Sequence, residues 1–442
     1  MIQEIKIKNF LSFKEETTFS FEAVKAGDKP KGYELKKDGY NRDDDPLLIK
    51  VADDTYLLRF AAIFGANAAG KTNLLTAINF LFGFMTRKSY FDDFGTGIKP
   101  FALDDTLQDA PSEFNLKFYI DGERYWYQLI INKDRVINEN LFIYKSRQPS
   151  NIFRRNEDKI EFNQNIEPID EAVLKQLSIN CLKNMSLLAA RKTITTDLPV
   201  LDKVVNWIFT SLTDIIENND DFFSMAERIL LENPEIEEHL IDFLHKADFN
   251  ISKIETEVDK KEIPEDVLKS LLSDPNVPEP AKQRLMKERS FTTIKTYFYH
   301  TTKVNGVEVP HRLPSSWQSR GTKCVFSLET LLYMLEQKKD NFVSIDEMEK
   351  SLHPDLMDYI MERFLNKKGS NSQLLITSHY APLMDLKGMR KDCIWFAEKD
   401  RDTGNSTLTP LYKKKASNRR RSYADSYLKT DNFNARPEIK KE

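Results

Sequence analysis

The chain has only three cysteines in 442 residues, and Cys181, Cys324 and Cys393 stand too far apart to form a metal or redox motif. Their scarcity excludes a disulfide scaffold and fits a reducing compartment. No apolar run approaches the roughly 18 residues that a membrane helix needs, and no signal-like N-terminus appears. A membrane-embedded role is therefore excluded, and the expected location is the cytoplasm. The six histidines, His239, His245, His300, His311, His353 and His379, show no zinc-ligand spacing. Charge of one sign is also lacking: 65 Lys and Arg against 69 Asp and Glu leave a net −4, which argues against constitutive coating of DNA. No heptad pattern persists for three or four turns, so no long coiled-coil arm is expected.

What is present is a large apolar fraction, 40%, enough for a sizeable core in a main domain with an insertion. Its most informative stretch is Gly65-Ala66-Asn67-Ala68-Ala69-Gly70-Lys71-Thr72, which has the spacing of a phosphate-binding P-loop. Residues 56–64 before it read as a buried strand. Residues 73–84 after it read as a helix with Leu74, Leu75, Ile78 and Leu81 on one side. In that context the glycines let successive N–H groups turn toward phosphate oxygens, Lys71 reaches the β- and γ-phosphates, and Thr72 offers a hydroxyl to Mg²⁺. A purely structural glycine loop is the alternative, and the flanking strand and helix weigh against it.

Two further segments complete the expected nucleotide site. Residues 341–347 form a short strand pattern ending in Asp346 and Glu347; Asp346 would hold Mg²⁺ and Glu347 would polarise the attacking water. Residues 373–379 form a second apolar strand that ends on His379. Ligands of parallel α/β sheets sit at the carboxyl ends of the strands, so Gly65, Asp346 and His379 should converge there, with His379 at the γ-phosphate. A satisfied structural histidine is the alternative.

With these residues in hand, the chain resembles an ABC-type ATPase of the RecF/SMC/OLD class. That class carries Asn at the position of Asn67, ends its acidic strand Asp-Glu, and closes the next strand with a switch histidine. Met1 to Phe13 looks like its first strand and "NF-x-SF" turn, and Met348-Glu349-Lys350-Ser351-Leu352-His353-Pro354 resembles its D-loop in the "S-L-H-P" form found in bacterial defence ATPases. The similarity spans residues 1–145 and 290–400 and is closest to RloA-like ATPases, with likeness to the ATPase subunits of PARIS and Septu systems. It implies ATP and Mg²⁺ as cofactors, with Asn67, Gly70, Lys71, Thr72 and Asn73 binding nucleotide, Thr72 and Asp346 the metal, and Glu347 and His379 catalytic. It also implies a signature motif that contacts the γ-phosphate bound by a second subunit, for which Ser319 and Gly321 are the candidates. Thr322 replaces the usual glutamine there, and a plain helix N-cap would look the same. Gln108 is the candidate Q-loop residue, with a surface glutamine as the alternative.

The implied fold is an α/β ABC-type P-loop NTPase core with a mixed sheet and a compact helical insertion. Residues 1–160 are expected to form its N-terminal half, 161–290 the mostly helical insertion, and 291–442 the C-terminal half with the signature, acidic pair, D-loop, switch histidine and basic tail. Residues 114–144 carry three strands, with a hairpin at Asp121-Gly122. The resemblance implies a homodimer or higher oligomer that regulates a separate effector, such as a nuclease, in bacterial anti-phage defence. Too few residues follow His379 for a Toprim nuclease domain. Lys413-Lys414-Lys415 and Arg419-Arg420-Arg421 leave nucleic acid open as a partner, beside a solvated tail. A RecF-like DNA-repair ATPase and an ATP-locked scaffold with little turnover are the alternative functions.

Overall fold

The computed structural model describes residues 1–25, 41–87, 95–213, 215–217, 219–247, 249–274, 279–337, 340–368, 371–414 and 422–429. The basic run from Lys415 to Arg421 lies outside them. The chain divides into two compact units. The first comprises Met1–Glu217, Leu335–Lys350 and Met357–Glu442, and the second Asn218–Met334 and Ser351–Leu356.

Two sheets build the first unit. In the six-stranded sheet, Phe342–Asp346, Gln373–Thr377, Phe60–Phe64 and Ile394–Lys399 lie side by side and parallel, with Ile216–Glu217 at one edge and antiparallel Ser406–Pro410 at the other. Phe60–Phe64 and Gln373–Thr377 are buried at every position, as expected of strands covered on both faces. The seven-stranded sheet is antiparallel throughout and joins Ile2–Lys8 to the meander Ser112–Ile120, Glu123–Ile131 and Val136–Tyr144. The first hairpin of that meander turns on Asp121 and Gly122, both at positive φ (48° and 81°), as a two-residue type I′ loop requires.

Helix Lys71–Thr86 connects the two sheets. Phe80 packs on Phe10 and Phe114 of the antiparallel side, with ring centroids 5.4 and 5.6 Å away, while Phe82 meets Phe342 of the parallel sheet at 5.9 Å. Leu74, Leu75, Ile78 and Leu81 are all buried. Each such side chain contributes about 1.5–3 kcal/mol, so the helix start is held by its packing.

The continuous strand expected over 56–64 is in fact two strands. The chain breaks at Arg59, whose buried guanidinium donates to the carbonyls of Pro46 (3.1 Å) and Lys367 (2.9 Å). Thr55–Leu58 therefore pairs in a hairpin with Leu48–Ala52, and only Phe60–Phe64 enters the parallel sheet.

The region expected to be mostly helical also contains a long strand. Helices Asp220–Glu232, Ile236–Lys246, Glu265–Ser273 and Glu279–Glu288 are present, but the 12-residue strand Ile251–Glu262 intervenes. It pairs with Ser290–Val304, which pairs in turn with Val307–Pro314. Its Lys- and Glu-rich composition reads as a charged helix or loop. Cross-strand partners make it a strand: Asp259 meets Lys295 at 2.8 Å and Glu255 meets Arg312 at 3.1 Å. The break between units falls after Glu217 instead of 160, and residues 291–442 are divided between both units.

Candidate functional site

The P-loop begins where Phe60–Phe64 leaves the sheet. Gly65 has φ 157°, and a Cβ there would lie 2.4 Å from the Ala397 carbonyl oxygen; at Gly70, φ 106°, a Cβ would lie 2.6 Å from Ser406 Oγ. Neighbouring strands thus leave room for backbone alone at both ends of the loop. Asn67 and Thr72 are exposed, whereas Lys71 is only 6% exposed. The Lys71 ammonium donates to the carbonyls of Gly65 (2.9 Å) and Ala66 (3.1 Å). Burial pushes its pKa below the ordinary lysine value, an effect that Asp346, Glu347 and Glu349 oppose. A phosphate would relieve that burial with opposite charge.

Because the acidic-pair strand, the histidine strand and the P-loop strand are parallel neighbours, their carboxyl ends form one edge. Thr72 Oγ1 donates to Asp346 Oδ2 at 2.9 Å. Thr377, at the end of the histidine strand, donates its hydroxyl to the other Asp346 oxygen and accepts the Glu347 backbone N–H at 2.9 Å. Glu347 sits at φ 48°, a left-handed conformation that costs a non-glycine residue about 1–3 kcal/mol. The carbonyl of Glu347 accepts from Lys350 N–H at 2.9 Å. Its carboxylate is 48% exposed, and the nearest cation, Lys350, is 3.9 Å away. A strained backbone clamped by Thr377 and an open carboxylate suit a residue that meets water.

His379 follows Thr377 by two positions and is exposed. Partial burial of its ring, then the nearby Lys71 charge, hold its pKa below the ordinary histidine value, so the imidazole is neutral at neutral pH. Its backbone N–H donates to Glu349 Oε1 at 2.5 Å. Thr377 and Glu349 escaped the sequence reading. Both lie inside the segments that reading singled out, and polarity at a strand end or after the acidic pair was their only signal.

Other expected site residues take scaffold positions. Asn73, expected at the nucleotide, donates its amide to Ser12 Oγ at 2.8 Å and so fastens the P-loop helix to the Asn-Phe-Leu-Ser-Phe turn. In that turn Asn9, at φ 53°, donates its amide to the carbonyls of Leu107 and Ala110 (3.1 and 3.0 Å) and accepts from Phe101 N–H at 3.0 Å. Gln108 Nε2 donates to the Phe101 carbonyl at 3.3 Å, closing the same loop. Ser319 Oγ accepts from Thr322 N–H at 3.0 Å and lies 2.9 Å from the Thr322 hydroxyl, which makes it the N-cap of helix Arg320–Gln337. Ser319 and Gly321 belong to the second unit, while Lys71, Thr72, Asp346, Glu347 and His379 belong to the first.

The donor set fits ATP and Mg²⁺. Adjacent hydroxyl and carboxylate oxygens on Thr72 and Asp346 are the hard ligands that Mg²⁺ takes together with substrate phosphates. The start of the 16-residue helix at Lys71 supplies free N–H groups and a positive dipole for the phosphates.

Over residues 60–385, a span that includes the P-loop, the acidic pair, His379 and the signature candidates, the chain matches the family described as "AAA domain, putative AbiEii toxin, Type IV TA system". No curated protein matches it. Among solved structures it is similar to the SMC head domain from Thermotoga maritima, at 14% identity over 93% of this chain and 98% of that one, with a TM-score of 0.40. It is also similar to the SmcHead bound to the C-winged helix domain of ScpA, at 13% identity over the same shares of the two chains, with a TM-score of 0.41. No helix among the described residues is long and apolar enough to cross a membrane.

Proposed function

The chain belongs to the family described as "AAA domain, putative AbiEii toxin, Type IV TA system", and from that premise we propose that it is a Mg²⁺-dependent ATP hydrolase. The observation that carries this reading is the Thr377 clamp, which holds Asp346 beside Thr72 and sets Glu347 in its strained conformation. Glu347 accepts a proton from the attacking water as bond making proceeds. Lys71 leaves its loop carbonyls for the β- and γ-phosphates, and the neutral His379 donates a hydrogen bond to a γ-phosphate oxygen. Thr72 and Asp346 would hold Mg²⁺, which would supply neutralisation of the phosphate charge. We further propose that the protein works as a dimer in which Ser319 and Gly321 meet the nucleotide of the opposite subunit. On this reading it regulates a separate effector, such as a nuclease, in anti-phage defence, because a nucleotide can bias a partner whose affinity differs between the two states.

Glu347→Gln tests the chemistry. It should retain ATP and Mg²⁺ binding and slow hydrolysis by about 10²-fold or more, the usual contribution of a positioned general base. Wild-type turnover in this variant would sink the assignment. Phage protection in the native host should then need both Glu347 and the active site of an effector encoded nearby; protection that persists in Glu347→Gln removes the regulatory role.

A further inference from the structure

We propose that Glu349 is a positioning residue of the ATPase site, tying the turn after the acidic pair to the loop that carries His379. The inference rests on the ATPase reading. Four bonds join these two segments. Three converge on Thr377: its hydroxyl reaches Asp346, the Glu347 N–H reaches its Oγ1 at 2.9 Å, and the Met348 N–H reaches its carbonyl at 3.3 Å. The fourth reaches past Thr377 to the histidine itself, from His379 N–H to Glu349 Oε1 at 2.5 Å. A carboxylate accepting a main-chain N–H makes a short, charge-assisted bond.

One observation separates this from a carboxylate that merely fills a turn. Glu349 Oε2 is buried and has no hydrogen-bond partner among the described residues, and a buried acceptor of that kind calls for an explanation. Glu349 thus links the general base, two residues before it, to the histidine on the next strand. When the Glu347 turn moves to meet its water, the histidine loop moves with it.

Kinetics of Glu349→Ala, Glu349→Gln, His379→Ala and the double variant Glu349→Ala/His379→Ala test the link. Loss of one charged hydrogen bond that matters in the transition state corresponds to about a tenfold to hundredfold fall in kcat. Glu349→Ala should show that fall with KM for ATP within about twofold, and Glu349→Gln, which keeps an acceptor oxygen, should recover most of it. The double variant should be no slower than His379→Ala, because the two residues act as one unit. Wild-type kcat in Glu349→Ala, or losses that multiply in the double variant, would overturn the proposal. A second readout needs no turnover. In protein labelled with ¹⁵N-histidine, the His379 amide proton should move upfield in Glu349→Ala and stay near its place in Glu349→Gln. An unmoved resonance in Glu349→Ala overturns the tie even if the wild type proves unable to hydrolyse ATP, the outcome that would defeat the ATPase reading itself.

Discussion

Lys71, the lysine proposed to bind phosphate, is held at rest by its own loop. Its ammonium is buried and bonded to two carbonyls of its own loop, and burial lowers its pKa. The folded protein therefore holds that proton less firmly than the unfolded chain does. The resulting cost to stability is complete at pH values below the lowered pKa, shrinks as pH rises through it, and is gone above the ordinary lysine value. Lys71→Ala should accordingly weaken ATP binding at least about tenfold through loss of a charge-assisted phosphate contact, while leaving the nucleotide-free melting temperature at pH 7 unchanged or higher. Calorimetric titration with ATP and thermal denaturation check both halves; undiminished ATP affinity would move the site away from the loop. The role of Lys71 was legible from the spacing of the motif alone. Its resting contacts were not, because they depend on how the loop folds back on its own carbonyls.

Among the elements, the turn from Asn9 to Phe13 supports the site from beside the P-loop helix. Asn9 gathers the 101–111 loop through its side chain, and Ser12 receives the Asn73 amide and, through its carbonyl, the Ser406 N–H. Asn9→Ala removes these side-chain bonds from a buried position at φ 53°, where Asn is tolerated better than Ala. It should destabilise the protein by about 2–4 kcal/mol, combining unsatisfied carbonyls with the left-handed backbone. Chemical denaturation of the variant measures this, and a loss below about 1 kcal/mol would mean that the turn is not the anchor described here. The strands at 112–144 were readable because alternation and the Asp-Gly turn are local signals. The break at Arg59 and the strand Ile251–Glu262 were not, since the first depends on the carbonyls of Pro46 and Lys367 and the second on pairing with Ser290–Val304.

At the scale of the molecule, the signature candidates Ser319 and Gly321 belong to one compact unit and the P-loop to the other. If Ser319 and Gly321 act across a dimer, a Gly321→Asp subunit mixed with a Lys71→Ala subunit should recover part of the ATPase activity that each lacks alone. A Cβ at Gly321 would lie 3.3 Å from the Ser351 carbonyl, so Asp there crowds the D-loop segment without requiring refolding. Complete failure to complement, with both variants folded and mixed oligomers verified, would argue for sites built within one chain. The sequence by itself determined where a nucleotide site is to be sought: the P-loop, the acidic pair and the strand-end histidine are short strings legible locally, and parallel strand packing brings their strand ends to one edge. Only the tertiary structure decided which neighbours hold them. Thr377 beneath Asp346 and Glu347, Glu349 at the His379 backbone, and Asn73 turned toward Ser12 are all contacts between segments distant in sequence, and their partners are selected by strand order and register, which no local pattern encodes.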